Sequence, residues 1–248
     1  MPRDPSAVQS LTRGLTVLRL LAANGDMTAT AIARVLGLDQ SSASRLLRSL
    51  QEEGFVCKPS FHSFALDLGV LLFAGTAMSR FEEVGRAAMV ASRLAQQSSV
   101  SVACTMLREG RLLYLAHVGP GVSGPMRLVD DSDFPVHRSS PGLLLAHRLG
   151  RTAFVRIMRD SLARHRSPCD HYTPDDLWRI AGKALGTDGV LFLRRFGPNA
   201  FSASQVYATK RGDAALTLFS QDKVMARAAA AALLAKGVRE LTDAKEQA

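Results

Sequence analysis

Apolar positions in the first third of the chain recur at helical spacing. Leu11, Leu15, Leu18 and Leu21 stand four, three and three residues apart, which predicts one apolar face of a helix over 10–23. Asn24-Gly25-Asp26 closes that helix with turn-forming residues. Thr28 offers its hydroxyl as the N-cap of a shorter helix over 29–36, with Ile32, Val35 and Leu36 on the apolar side. Gly37 ends it, because glycine takes a positive φ without strain. Leu38 is the expected buried residue of the turn that follows. Asp39 caps a third helix over 40–53, where Ala43, Leu46, Leu47 and Leu50 stand at i, i+3, i+4 and i+7. Gly54 stops this helix. Residues 55–57 and 61–66 then read as two strands of a hairpin turning at Lys58-Pro59-Ser60.

The polar face of the third helix carries the first functional signal. Gln40, Ser41, Ser42, Ser44, Arg45, Arg48 and Ser49 occupy it, and no acid intervenes before Glu52. A helix lying in the major groove needs such a surface. Serine and glutamine bond base edges or phosphates, arginine bonds guanine or phosphate, and carboxylates would repel the backbone. Two helices, a tight Gly-Leu turn, this helix and a two-stranded wing define a winged helix-turn-helix. Thr28, Gln40, Ser41, Ser42, Ser44, Arg45 and Arg48 are its candidate DNA-facing residues, with Lys58 and His62 near the wing tip as phosphate contacts.

Beyond the wing the pattern is mixed. An apolar stretch over 67–80 reads as a linker helix, and Val84, Ala87, Ala88, Ala91 and Leu94 mark a longer helix over 83–97. Strand-like runs follow at 99–106, 112–118 and 126–129, the first two joined by a hairpin turn at Arg108-Glu109-Gly110. Helices are expected over 141–149, 151–161 and 174–185. Further strands are expected over 190–194, 200–208 and 214–219, and a last helix over 222–234. The expected fold class is therefore α+β, in two domains: a DNA-binding domain over 1–66 and, past the linker over 67–80, a second domain over 81–248 built on an antiparallel sheet.

Composition bounds the function less sharply. With 248 residues and 47% hydrophobic residues, the chain has the mass for two packed cores. No stretch has the ~18 uninterrupted apolar residues of a membrane span, and the first residues lack a secretory-signal pattern. The expected location is the cytoplasm, with no membrane partner. Cys57, Cys104 and Cys169 are far apart, which argues against a disulfide framework. The net charge of +9 suits a polyanionic partner. Its distribution is less telling: residues 1–66 hold seven Lys/Arg and five Asp/Glu, so most of the excess lies further on.

The same residues resemble the IclR-type transcription regulators. The resemblance runs through SLTRGLTVLRLLA (10–22), TATAIARVLGLDQSSASRLLRSLQEEGFV (28–56) and the wing ending Phe64-Ala65-Leu66. Gly14 stands where the family commonly has alanine, at a cost in helix stability. A looser resemblance continues at Phe134-Pro135-Val136-His137-Arg138-Ser139-Ser140-Pro141-Gly142, where Arg138 and Pro141 replace small residues. It implies a GAF-like effector-binding domain with an effector pocket near Ser140 and Pro141, Ala200 and Ser202, and Thr217 and Phe219. It also implies a small organic or aromatic acid as effector, a homodimer or homotetramer, and a palindromic operator in double-stranded DNA. Arg194 or Arg195 is a further candidate partner for a carboxylate, though an exposed pair of arginines is the simpler reading.

Chemistry of other kinds finds little support. His165, Cys169 and His171 are the one cluster with metal-ligand chemistry, but they supply three ligands on a loop with Pro168. Asp130, Asp131 and Asp133 form an acidic turn. His137 has no nucleophile or paired carboxylate specified beside it. No P-loop, GxGxxG, GxSxG or HExxH motif occurs. No enzymatic activity, metal or cofactor is expected. The residues leave one alternative open: a small-molecule-binding or enzymatic C-terminal domain whose winged helix makes protein contacts.

Overall fold

A computed structural model describes residues 8–119, 135–165, 171–194 and 199–243. It divides at Arg80/Phe81 into two compact units.

The N-terminal unit begins with α1 (Gln9–Asn24), β1 (Met27–Thr28), α2 (Ala29–Leu36) and α3 (Gln40–Glu52). It continues with β2 (Val56–Cys57), β3 (Ser63–Leu66) and α4 (Gly69–Arg80). Capping sets the helix starts. The Thr28 hydroxyl accepts the Ala31 N–H at 3.1 Å, and Asp39 Oδ1 accepts the Ser42 N–H at 2.8 Å. Gly37, at φ +63°, closes α2. The buried core is Val17, Leu21, Ile32, Leu47 and Val56.

Four expectations shift here. The buried face of α1 is Gly14, Val17 and Leu21, whereas Leu11 and Leu15 are 62% and 49% exposed. Gly14 faces Leu46 and Leu50 of α3, so the buried stripe runs through Gly14 rather than through Leu11 and Leu15. In α2, Ala33 is buried beside Ile32 and Val35 is exposed. Leu38 is half-buried, not buried. The wing strand starts at Ser63, two residues later than expected, because the Ser60 hydroxyl takes the Ser63 N–H and keeps 60–62 in the loop. β3 is the central strand of three: Phe64 and Ser63 pair with Met27 and Thr28 of β1, while Leu66 and Ala65 pair with β2. β1 was not anticipated, since two residues carry no periodicity.

The C-terminal unit contains α5 (Glu82–Ser98), β4 (Ser101–Arg108), β5 (Arg111–Val118), a 3-10 turn at Val136–Arg138, α6 (Ser140–Arg148) and α7 (Arg151–Arg164). It ends with α8 (Pro174–Ala184), β6 (Val190–Leu193), β7 (Phe201–Thr209), β8 (Gly212–Ser220) and α9 (Arg227–Thr242). The strands form one antiparallel sheet in the order β5-β4-β8-β7-β6. Glu109 and Gly110 both have positive φ, as a two-residue hairpin between right-twisting strands requires. Alternate residues of each strand face opposite layers. Val102, Cys104, Leu216 and Leu218 pack with Leu94 of α5 and Leu234 of α9. Ala103, Ala215 and Leu191 pack with Leu143, Phe154 and Leu177 of α6, α7 and α8. Burial pushes the Cys104 thiol up to about 12, so it is a structural thiol in the first of these layers.

The last helix spans Arg227–Thr242, not 222–234. Asp222 instead closes a turn with Ser220. The helix contains Gly237, where a Cβ would press on Leu216 and Leu94, at 2.6 and 2.7 Å. The expected strand over 126–129, Asp130, Asp131 and Asp133, Cys169 of the His-Cys-His cluster, and Arg195 lie outside the described residues.

Candidate nucleic-acid interface and ligand cavity

On the N-terminal unit, an open groove of about 520 Å³ separates α3 from the wing. Six of the nine candidate DNA-facing residues line it: Thr28, Gln40, Ser44, Arg48, Lys58 and His62. The α3 members fall at i, i+4 and i+8, a single stripe that Gln51 extends at i+11. Ser41, Ser42 and Arg45 lie outside the groove lining. Arg45 is exposed and donates to the Ser42 hydroxyl at 3.3 Å. Ser41 donates to Asp39 at 2.6 Å. These bonds from Ser41 and the Ser42 N–H hold the Asp39 carboxyl well below the usual carboxylate range. Asp39 is therefore committed to the cap, and no acid lines the groove. Thr30, Gln51 and Phe61 are groove residues that the sequence reading missed. The i+11 spacing of Gln51 from Gln40 is a signal that would have found it.

Lys58 is held between two rings, its Nζ 5.5 Å from the Phe61 centroid and 5.2 Å from that of Phe64. His62 meets Phe61 edge-on, with centroids 4.9 Å apart. The wing thus presents two basic side chains around one exposed ring.

In the C-terminal unit, a cavity of about 90 Å³ opens between the start of α6 and the sheet. Ser140, Pro141, Ala200, Ser202, Thr217 and Phe219 all line it. Its other walls are mainly apolar, with Ala103, Tyr114, Leu193 and Phe201. A row of hydroxyls crosses one side. Ser140 Oγ bonds Ser202 Oγ and, at 2.7 Å, Ser204 Oγ, and Ser204 Oγ bonds Thr217 Oγ1 at 2.8 Å. Ser140, Ser204 and Thr217 are buried. The Ser139 hydroxyl caps α6 by accepting the Gly142 N–H at 3.2 Å. Gly142 must lack a side chain, because a Cβ there would collide with the Val136 carbonyl.

One charged residue joins these walls. Arg138, half-buried, lines the cavity beside Ser139. Arg194 is exposed and is not among the lining residues, which agrees with the simpler reading of it as a surface arginine. The substitution of Arg138 for a small residue was the available signal. His137 is buried, with Nδ1 2.8 Å from the Ser161 hydroxyl. Among the described residues no group of three His, Cys, Asp or Glu side chains is placed to hold a metal ion. None of their helices is long and apolar enough to cross a membrane.

These features define a two-unit α+β protein with a winged helix-turn-helix before a sheet-based domain containing a small cavity. Residues 10–59 match the family model described as the IclR helix-turn-helix domain. The chain is similar to the transcriptional repressor IclR of Escherichia coli K12, with 48% identity over 50 residues, 20% of this chain and 18% of that repressor. The similarity thus spans less than a fifth of the repressor's length. The whole fold is similar to an IclR family transcriptional regulator from Brucella abortus (20% identity, 98% of this chain and 95% of that one, TM-score 0.77). It is also similar to an IclR homolog from Microbacterium hydrocarbonoxydans complexed with 4-hydroxybenzoate (20% identity, 94% and 98%, TM-score 0.69). Residues 10–59 thus form an IclR-type helix-turn-helix domain, and the chain as a whole shares the fold of these two solved structures.

Proposed function

We propose that this chain is a sequence-specific DNA-binding regulator of transcription, governed by a small organic acid bound in its C-terminal unit. The observation that carries the reading is the groove between α3 and the wing, lined by Arg48, Lys58, His62 and neutral donors with no acid among them. In this reading α3 lies in the major groove, Arg45 and Arg48 meet bases or phosphates, and the wing meets the backbone beyond. The work is done on DNA, in the cytoplasm.

Exposed leucines support self-association of the N-terminal unit: Leu11 and Leu15 on α1, and Leu71 and Leu72 on α4. A second copy covering them makes a symmetric dimer, or a tetramer of such dimers, and a symmetric protein reads a palindromic operator. For the effector, Arg138 supplies the partner of a carboxylate, and Ser140, Ser202 and Thr217 supply hydroxyls for a second polar group. The relative complexed with 4-hydroxybenzoate supports an acid as the ligand class. The cavity opens on one side, and its volume of about 90 Å³ favours a small acid.

Selection of bound fragments from a random duplex pool, at defined salt, tests the DNA reading. The expected product is a palindromic motif whose affinity falls steeply as salt rises, because bound phosphates release counterions. Arg48→Ala weakens binding to that motif by about 1–3 kcal/mol and leaves the melting temperature unchanged. Absence of enrichment from folded protein, with and without a panel of organic acids, would defeat the proposal.

A further inference from the structure

We infer that Phe61 is a wedge: its ring enters the minor groove of bound DNA, next to the major groove occupied by α3, and partly unstacks one base step. The inference rests on the DNA-binding reading above.

Phe61 is 84% exposed, more than any other large hydrophobic side chain among the described residues. An apolar ring so fully in water loses free energy on finding a cover. The ring is also held in place. Pro59 fixes its own φ within the loop. Ser60 Oγ accepts the Ser63 N–H at 3.2 Å and shares a hydrogen bond with Ser63 Oγ at 2.6 Å, which closes the loop around 61–62. Lys58 Nζ sits 5.5 Å from the ring centroid and His62 meets the ring edge-on. The tip therefore presents its ring with little conformational entropy left to lose on binding.

The position of the ring selects its cover. The groove has Gln40, Ser44 and Arg48 on the α3 side and Lys58 and His62 on the wing side. With α3 in the major groove, the chain that fits between those rows is one sugar-phosphate backbone. What lies across that backbone is the minor groove, and Phe61 belongs to the wing-side wall of the groove, with Lys58 and His62. The lysine beside the ring calls for a surface with negative charge at the rim of an apolar slot. Duplex DNA offers that arrangement, with phosphates at the rims and flat base faces between. Apolar side chains pushed between base steps kink the duplex toward the major groove and open the minor groove around the wedge.

The test uses the full chain and the duplex that wild-type protein recovers by selection, with 2-aminopurine placed in turn at each position flanking the α3 contacts. This base brightens when it is unstacked. Wild type is expected to brighten one position in each half-site, and Phe61→Ala none. Phe61→Ala should bind roughly tenfold more weakly, the scale of one lost base–aromatic contact, with the salt dependence of binding unchanged. Phe61→Trp should keep both affinity and brightening. Lys58→Ala should lower the salt slope by about one. Affinity of Phe61→Ala within twofold of wild type overturns the inference. So does a weaker Phe61→Ala when wild type brightens no position, since the ring then packs without unstacking. If wild type recovers no duplex, the DNA-binding reading itself falls and takes this inference with it.

Discussion

The two units place their candidate chemistry on opposite sides of their cores. In the N-terminal unit the core is small, built on Val17, Leu21, Ile32, Leu47 and Val56, and the polar groove residues lie outside it. In the C-terminal unit two larger apolar layers sandwich a sheet, and the cavity is cut from one of them: Ala103, Tyr114 and Leu193 belong both to that layer and to the cavity wall. The difference has a physical consequence. A surface groove can change residues without disturbing packing, so binding and stability vary separately there. A cavity walled by core residues cannot, so binding and stability move together.

The largest effect expected from this contrast is at Phe154. It is fully buried, packs in the layer that walls the cavity, and meets Trp178 edge-on with centroids 5.2 Å apart. Phe154→Ala should cost about 3–5 kcal/mol in denaturant unfolding of the C-terminal unit. It should also weaken whatever acid the cavity binds, as read by calorimetric titration. Arg48→Ala, by contrast, should alter DNA affinity alone. A Phe154→Ala protein of lowered stability and unchanged ligand affinity would break the comparison, because the cavity would then be independent of the layer it is cut from.

A smaller effect of opposite sign is expected in the N-terminal unit. Gly14 is buried in the interior of α1, where glycine costs roughly 1 kcal/mol relative to alanine. A Cβ there would lie 3.8 Å from Leu46 and 3.9 Å from Leu50, which is ordinary contact. Gly14→Ala should therefore stabilise the N-terminal unit by about 1 kcal/mol in urea unfolding and leave DNA affinity intact. A loss of stability would mean that α1 and α3 need a closer approach than these distances allow.

Gly14 also marks where the sequence stops being readable. Hydrophobic spacing pointed to Leu11 and Leu15 as core, and both are exposed. A buried glycine carries no side chain for a hydrophobicity pattern to record, so the stripe through Gly14 went unseen. The last helix was expected to end at Leu234, yet it continues to Thr242, and Gly237 within it gives α9 its close seat on Leu216 and Leu94. Caps were legible because they are local: Thr28 and Asp39 bond N–H groups three residues on. The α3 face was legible for the same reason, since one helix supplies its stripe. The cavity was not readable from spacing. Its hydroxyl row depends on register, with Ser204 opposite Thr217 and Ser202 opposite Phe219 across β7 and β8. Only the family resemblance brought Ser140, Ser202 and Thr217 together. Arg138 stood in plain view as a departure from that resemblance, but its place on the wall needed the fold.

The smallest effect expected is a pH dependence in the C-terminal unit. His147 stacks on Trp178 with centroids 4.1 Å apart and stands edge-on to Phe154. Desolvation by this packing lowers its pKa below the ordinary histidine value. The unfolded chain then binds the proton more readily than the folded one, so protonation favours unfolding. The contribution of His147 to stability is complete above its unfolded pKa of about 6.5 and is lost as the pH falls from there through the lower folded value. His147→Phe keeps a ring on Trp178 and removes the titration. Between about pH 7 and about pH 5, the melting temperature of the native protein should fall further than that of the variant. Parallel curves would show that the imidazole is well solvated in the folded state. The packed layer around Phe154 would then be open to water at its α6 edge, and the contrast between a sealed core and a surface groove would weaken at that point.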